Sequence, residues 1–207
     1  MLRFALTGGI ATGKSYVRER VAARGVPTVD ADAVVHALLS ADLDLIAEVA
    51  HRFGPRVLLQ DGGVDRRALG AVVFHDASAR RDLEAIVHPR VFDRIAGWMS
   101  SQARAGSRWV LADIPLLFET GRDQEFDRII VVACAPEEQV RRIVRRDGLS
   151  ESAARARLSA QWPIADKVLR ANDVVDTGGT FEETDRQVDA VCREVDEVTR
   201  SIEPFSL

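Results

Sequence analysis

The stretch that decides the fold is residues 8–15, which read Gly-Gly-Ile-Ala-Thr-Gly-Lys-Ser. It fits the pattern G-x-x-x-x-G-K-[ST], in which glycines let the backbone curl so that amide hydrogens point at phosphate oxygens. An apolar run at 2–6 precedes it and a helical pattern at 14–23 follows it. Because the motif lies between a strand and a helix, it predicts a phosphate-binding loop rather than a glycine-rich turn that only joins two elements.

The expected roles within this loop follow from phosphate chemistry. Lys14 is expected to reach the β and γ phosphates of a nucleoside triphosphate, and Ser15 to give its hydroxyl to Mg²⁺. Asp113, at the end of an apolar strand, is the other candidate metal residue, with a polar strand terminus as the alternative. Ala11 lacks the freedom of glycine, so ordinary backbone angles are expected there. The candidate nucleotide-binding residues are Gly8, Gly9, Ala11, Thr12, Gly13, Lys14, Ser15 and Tyr16.

Beyond the loop, strand-like and helical patterns alternate along much of the chain. Further short apolar runs that are typical of strands occur at 26–29, 109–112, 129–132 and 174–175. Together with the first strand, they predict an α/β protein with a five-stranded, mostly parallel sheet flanked by helices. Residues 33–105 differ, because leucine, valine and alanine recur there at helical intervals. This texture predicts a helical insertion, in which Pro89 should kink or divide a helix after His88.

Composition limits the class of protein. The 207 residues are 46% hydrophobic and 29% charged, which is typical of an ordered globular chain. A net charge of -4 argues against a surface built to hold nucleic acid, and no apolar segment of signal or membrane length opens the chain. A cytoplasmic monomer or weak homo-oligomer is expected, without a membrane partner. The expected parts are a nucleotide-binding core at 1–32, 106–135 and 171–207, the insertion at 33–105 and a lid at 136–170.

The loop alone does not separate a kinase from a GTPase or a motor. The sequence lacks an N-K-x-D-like guanine motif and is short for a motor, so a small-molecule kinase is favoured over a nucleotide-dependent regulatory switch. Asp32, after the second strand, is the candidate base, although it or Asp30 could only cap the next helix. Arg142 and Arg146 are spaced i, i+4 and suit a lid that neutralises phosphates. As an alternative, they are solvated and pair with nearby acids.

Several ordered segments resemble the dephospho-CoA kinase family across nearly the whole chain. They are residues 6–15, 30–32, 66–69, 88–89, 113–119, Arg142 and 146–147. The resemblance implies phosphorylation of the ribose 3′-hydroxyl of dephospho-CoA by ATP with Mg²⁺, with Asp32 as general base and Arg142 and Arg146 in the lid. Another nucleoside or nucleotide kinase is the alternative within this fold.

The same resemblance implies an acceptor site and also shows departures from the family pattern. Trp162 stands where methionine is more usual, and Thr177 takes a place often held by asparagine near the adenine. His88 could equally be a residue that packs between helices. The residues implied to border the acceptor are Thr7, Asp32, Arg66, Phe74, His88, Pro115, Leu116, Leu117 and Phe118.

Overall fold

A computed structural model describes residues 1–74 and 76–202 of the chain. The strands are β1 (Leu2–Gly8), β2 (Thr28–Asp30), β3 (Trp109–Asp113), β4 (Arg128–Ala133) and β5 (Asp173–Asp176). The helices are α1 (Lys14–Ala22), α2 (Ala31–Ala41), α3 (Leu43–Phe53), α4 (Arg66–Phe74), α5 (Ala77–Arg104), α6 (Pro136–Asp147), α7 (Glu151–Ser159), α8 (Ile164–Val168) and α9 (Phe181–Ile202). Short 3₁₀ turns lie at Pro55–Val57 and Asp123–Glu125.

Within the described part of the chain, the five strands form one parallel sheet in the order β2-β3-β1-β4-β5. The predicted α/β class and the parallel five-stranded sheet are therefore confirmed. β1 is central, and its residue Leu6 pairs with Asp113 of β3 on one side and Ile130 of β4 on the other. The connection after β1 thus leaves the carboxyl end of a strand that has β3 and β2 on one side and β4 and β5 on the other, where the strand order reverses. Ligands bind at such a position in open α/β sheets.

The second strand begins later than the sequence pattern predicts. The expected strand was 26–29, whereas β2 begins at Thr28 and ends at Asp30. Pro27 explains the shift, because proline has no amide hydrogen to give to a sheet. Its carbonyl still accepts a hydrogen bond from the amide of Leu111, at 3.0 Å.

The described chain forms two compact units, and the first comprises residues 1–28 and 101–202. In this unit α1 and α9 pack with the sheet, and the Phe4 and Trp109 rings lie 5.0 Å apart. Full burial of each such large apolar side chain stabilises the fold by about 1.5–3 kcal/mol. The buried residues of this core are Phe4, Leu6, Val17, Val21, Trp109, Leu111, Ile130, Val132, Val175, Val188, Cys192 and Val195.

The second unit comprises residues 29–100 and is helical apart from the end of β2. One long helix, α5, contains Pro89 and continues through it, so the expected division after His88 is wrong. The proline removes the backbone donor that would bond to the Ala85 carbonyl, and the Arg90 guanidinium donates to the neighbouring carbonyl of Ile86 at 3.1 Å. Burial of α5 residues on both sides of the proline, including Val87 and Val91, also favours continuation of the helix.

Both cysteines are free and buried. Burial raises the pKa of Cys134, and it raises that of Cys192 to about 11. Little thiolate therefore forms near neutral pH, which fits small apolar packing residues better than nucleophiles. Among the described residues, none of the helices combines the length and the apolar character needed to cross a membrane.

Candidate active site

The phosphate-binding loop, residues 8–15, connects the end of β1 to the start of α1. Gly13 is the residue before α1 and has φ +85°, in the left-handed region that favours glycine. Ala11 also lies in this region, with φ +59°, so the expectation of ordinary backbone angles at Ala11 is wrong. A left-handed alanine costs about 1–2 kcal/mol relative to an ordinary conformation. The surrounding contacts must therefore stabilise the loop in this shape.

The first two glycines of the loop are required by close neighbours. A Cβ atom on Gly8 would lie 2.5 Å from the Val132 carbonyl oxygen, and one on Gly9 would lie 2.5 Å from Nε2 of Gln139. Gly8 therefore has no room for a side chain, and at Gly9 a side chain would require the buried Gln139 amide to move. At these two positions, the motif thus reflects packing against β4 and α6 as well as phosphate geometry.

Protein donors occupy the backbone carbonyls of the loop from Gly9 to Thr12. Within the loop, Thr12 donates its hydroxyl to the Gly9 carbonyl at 3.0 Å. Gln139 Nε2 donates to Ile10 at 2.7 Å, Arg142 to Ala11 at 3.4 Å and the Thr177 hydroxyl to Thr12 at 2.5 Å. The first amides of α1 have no acceptor within a helix, by helix geometry. With the loop carbonyls already bonded to the protein, these amides are suited to bind an anion.

Arg142 contributes more to this arrangement than its predicted role suggested. Besides the Ala11 carbonyl, its guanidinium donates to the Thr177 carbonyl at 2.6 Å and to the Glu138 carboxylate at 2.8 Å. The hydrogen bond from Arg142 lowers the pKa of Glu138. Arg142 therefore connects the loop, α6 and the turn after β5.

Arg146 lies on the same helix, α6, but has a different environment. Its side chain is 58% exposed and pairs with Asp147 at 2.7 Å, as the solvated alternative predicted. Asp147 also pairs with Arg157 of α7, and the bond from Arg146 lowers the pKa of Asp147. The two arginines thus share a helix but not a set of partners.

Lys14 and Asp113, the candidate metal residue, are in direct contact. The Lys14 ammonium donates to Oδ1 of Asp113, whose side chain is only 1% exposed, and Arg18 lies 3.9 Å from the other carboxylate oxygen. Ser15 follows in the exposed first turn of α1. A hydroxyl and a carboxylate are oxygen donors of the kind that Mg²⁺ prefers. By the chemistry of their donors, Ser15 and Asp113 fit a magnesium ion.

Tyr16, the last candidate nucleotide-binding residue, lies beside the start of α9. Its hydroxyl donates to Asp185 at 2.8 Å, which raises the pKa of Tyr16, and its ring lies 4.8 Å from that of Phe181. Phe181 is 68% exposed. An aromatic pair with one exposed member therefore lies directly after the phosphate-binding loop.

The segment after β3, residues 115–119, contains all the predicted acceptor residues of the first unit except Thr7. The Thr7 hydroxyl donates to the Pro115 carbonyl at 3.1 Å, so these two predicted residues are brought together. Leu117 is fully buried, whereas Leu116 is partly exposed. Phe118 stacks on Trp162 with 6.3 Å between ring centroids and 8° between ring planes.

In the second unit, the two candidate aspartates separate into different roles. Asp30 caps α2, because its carboxylate accepts from the amides of Asp32 and Ala33 at 2.9 and 3.3 Å. Asp32 lies in the first turn of the helix and is exposed. Capping is thus performed by Asp30, and the Asp32 carboxylate faces solvent in its own unit.

The other predicted acceptor residues of this unit lie on α4 and α5. Arg66 begins α4 and is exposed, and Phe74 ends it with 71% of its surface exposed. His88 is half-buried in α5, and its ring meets that of Phe92 edge to face, 6.2 Å away. This contact lies one turn along the same helix, so both packing between helices and substrate contact stay predictions for His88.

Sequence reasoning missed Gln139, Gln161, Glu119 and Lys167, all of which contact the loop or the segment beside it. Gln139 is completely buried, and Gln161 accepts from the Ile10 amide at 2.9 Å. Lys167 is completely buried and pairs with Glu119. Glu119 ends the 113–119 segment, which was a usable signal. A single lysine in a short helix offers none, because lysine is seldom buried.

This strand order, with a G-x-x-x-x-G-K-S loop after β1 and a buried aspartate at the end of β3, defines the class of P-loop nucleotide-binding proteins. Comparison with known proteins then identifies the family. The model of the dephospho-CoA kinase family matches residues 2–183. The chain belongs to this family, as the sequence resemblance predicted.

Individual relatives agree with that assignment. The chain is 41% identical over 195 residues to the dephospho-CoA kinase of Geobacillus kaustophilus, covering 94% of this chain and 97% of the relative. Among solved structures, TT1252 from Thermus thermophilus superposes with a TM-score of 0.78 and 35% identity, covering 93% of this chain and 97% of the other. A dephospho-CoA kinase from Campylobacter jejuni superposes with a TM-score of 0.73 and 27% identity, covering 95% of this chain and 98% of the other.

Proposed function

We propose that this chain transfers the γ-phosphate of ATP to the ribose 3′-hydroxyl of dephospho-CoA, giving coenzyme A and ADP. The observation that carries the proposal is the phosphate-binding loop, whose carbonyls from Gly9 to Thr12 are bonded to the protein within a member of the dephospho-CoA kinase family. The loop geometry supports phosphate handling, and the family supports the acceptor.

On the nucleotide side, the amides at the start of α1 bind the phosphates and Lys14 neutralises charge on the β and γ groups. Ser15 and Asp113 hold Mg²⁺, which offsets negative charge on the phosphates when bound. Tyr16 borders the nucleoside. Because Lys14 already donates to Asp113, its ammonium is oriented before the nucleotide binds.

On the acceptor side, Asp32 accepts the proton of the 3′-hydroxyl while that oxygen attacks the γ-phosphorus. The bond to the β,γ-bridging oxygen breaks and ADP leaves. Exposure of the Asp32 carboxylate, while Asp30 caps the helix, supports this role. The helical part at 33–105 is assigned to acceptor binding. The residues that border the acceptor are Thr7, Arg66, Phe74, His88 and residues 115–118.

The lid at 136–170 carries Arg142 and Arg146 and excludes water, which would otherwise compete as the phosphoryl acceptor. Contact of Arg142 with the loop carbonyl of Ala11 supports its nearness to the phosphates, and the exposed Arg146 would exchange Asp147 for a phosphate when the lid closes. The enzyme works in the cytoplasm as a monomer or weak homo-oligomer. The nucleotide-binding core is assigned to 1–32, 106–135 and 171–207, of which 203–207 lie outside the described residues.

A coupled assay of ADP release over a panel of acceptors tests the proposal. With ATP and Mg²⁺, dephospho-CoA is expected to give the highest kcat/KM, well above adenosine, AMP and shikimate. If another nucleoside or nucleotide gives the highest kcat/KM, the chain is still a kinase, but the proposed acceptor is wrong. ADP release that no acceptor increases would contradict both.

A further inference from the structure

Lys167 is a completely buried lysine that the reaction described above does not use. Burial of an ammonium group is costly unless it is paired and fully hydrogen-bonded. Three acceptors meet it, one for each of its donors: Glu119 Oε1 at 2.7 Å, and the carbonyls of Gly8 and Pro115, each at 3.4 Å. A buried charge with a complete set of partners indicates a specific task.

The partners of Lys167 belong to two parts of the site. Gly8 is the first residue of the phosphate-binding loop, and Pro115 and Glu119 lie in the segment that borders the proposed acceptor site. The Pro115 carbonyl also accepts from Thr7, the residue before Gly8, at 3.1 Å. Lys167 therefore joins the segment after β3 to the end of β1.

The two parts depend on Lys167 to different degrees. The loop carbonyls from Gly9 to Thr12 have other donors, so its shape survives without the ammonium. In the 115–119 segment, the carbonyls of 116–118 accept from residues 120–122, so these bonds hold the turn itself and not its position against the loop. Apart from Lys167, Glu119 accepts only a long bond from the Trp162 amide, at 3.4 Å, and its Oε2 has no partner among the described residues. Loss of Lys167 should therefore displace mainly the 115–119 segment.

We propose that Lys167, paired with Glu119, is a positioning residue that sets the 115–119 segment against the phosphate-binding loop and so fixes the acceptor for transfer. This inference rests on the function proposed above. Misplacement of a reacting group by about 1 Å costs on the order of 100-fold in rate. The expected loss therefore falls on the acceptor and not on ATP.

Three variants test the proposal by separating stability from acceptor efficiency. Lys167→Met removes the charge at similar length, the double variant Lys167→Met/Glu119→Gln also removes the unpaired carboxylate, and Arg3→Met removes an exposed ion pair at the opposite end of β1. Lys167→Met is expected to lower Tm and to reduce kcat/KM for dephospho-CoA by about 30- to 100-fold. The Kd for ATP should change less than about threefold, and Arg3→Met should match the parent protein.

The double variant separates positioning from a structural role. Its Tm should recover, because replacing a buried ion pair by neutral groups is often neutral. Its acceptor efficiency should remain low, because the Pro115 carbonyl still lacks the Lys167 donor. Recovery of acceptor efficiency together with Tm would overturn the proposal. So would an equal loss for ATP and the acceptor.

Hydrogen exchange gives a readout that does not depend on the acceptor. In Lys167→Met, amides in peptides covering 114–122 should exchange at least about tenfold faster, while those in 8–16 stay within about threefold of the parent protein. Unchanged exchange at 114–122 would contradict the positioning role even if dephospho-CoA were not the acceptor. Failure of the parent protein to phosphorylate dephospho-CoA, with the exchange result as expected, would instead contradict only the proposed function.

Discussion

The loop that handles phosphate and the helical unit assigned to the acceptor present their functional groups in different ways. In the loop, the carbonyls from Gly9 to Thr12 are bonded to the protein and Lys14 is paired with a buried aspartate. In the helical unit, Asp32, Arg66 and Phe74 are exposed. The phosphate site is thus organised by the fold itself, whereas the acceptor groups are left accessible to a ligand.

If the exposed Asp32 is the base, its removal gives the largest effect. Asp32→Asn is expected to lower kcat by about 100-fold or more, because the amide cannot accept the proton, while the Kd for ATP changes little. Single-turnover kinetics and isothermal titration measure the two quantities. Asp44→Asn is a matched control, because Asp44 is also exposed and occupies the same position in the first turn of α3. Similar kcat values for the two variants would contradict the assignment of Asp32 as the base.

On the phosphate side, Asp113→Asn should weaken Mg²⁺ binding and remove the carboxylate that pairs with Lys14. The Mg²⁺ concentration that gives half-maximal activity is expected to rise about tenfold or more, as is typical when a group beside a metal is lost. A titration of activity against Mg²⁺ measures this shift, and chelation with EDTA should abolish turnover. Asp127→Asn, at the start of β4, makes the same chemical change away from the loop. A Mg²⁺ requirement unaffected by Asp113→Asn would exclude this aspartate from the metal site.

The importance of carbonyl contacts for the loop can be measured at Thr177. Thr177→Val keeps the shape of the side chain but removes the donor to the Thr12 carbonyl, which should cost about 1–3 kcal/mol of unfolding free energy and weaken ATP binding. Urea unfolding and ATP titration check the two effects. Thr199→Val is the control, since that residue is also buried and its hydroxyl donates to the Asp196 carbonyl within its own helix. Equal losses of unfolding free energy and of ATP affinity in the two variants would contradict a specific role for the Thr177 contact with the loop.

The smallest effect is expected at Ala11. Ala11→Gly relieves a left-handed backbone worth about 1–2 kcal/mol, but glycine loses about 0.5–1 kcal/mol in conformational entropy. The net change in unfolding free energy should therefore be a gain of less than about 1.5 kcal/mol. Ala11→Val should destabilise, because a β-branched residue tolerates positive φ poorly. Stabilisation by valine in urea unfolding would contradict the strained conformation.

The sequence predicts the sheet and the phosphate-binding loop well, because both depend on local patterns. Apolar runs mark each strand, and the glycines of 8–15 encode a backbone shape that few other residues allow. Small shifts arise from single residues, such as Pro27, which delays the second strand. The helix through Pro89 persists because packing of its buried face outweighs the missing donor, which local propensity does not include.

The contacts around the loop could not be predicted in the same way. Gln139 and Thr177 lie more than 100 residues beyond the loop, and they reach it only because β4 and β5 lie on one side of β1. Lys167 looks like an ordinary surface lysine until its burial is known. The left-handed Ala11 results from closure of the loop. Such features depend on tertiary structure, and the roles assigned to Asp32, Arg66 and His88 remain predictions.

The most direct test of the central claim is to quantify and identify the product formed from ATP and dephospho-CoA. The account predicts one coenzyme A for each ADP released, with the new phosphate on the ribose 3′-oxygen when the product is examined by mass spectrometry and phosphorus NMR. Release of ADP without coenzyme A, or a phosphate at another position, would contradict it.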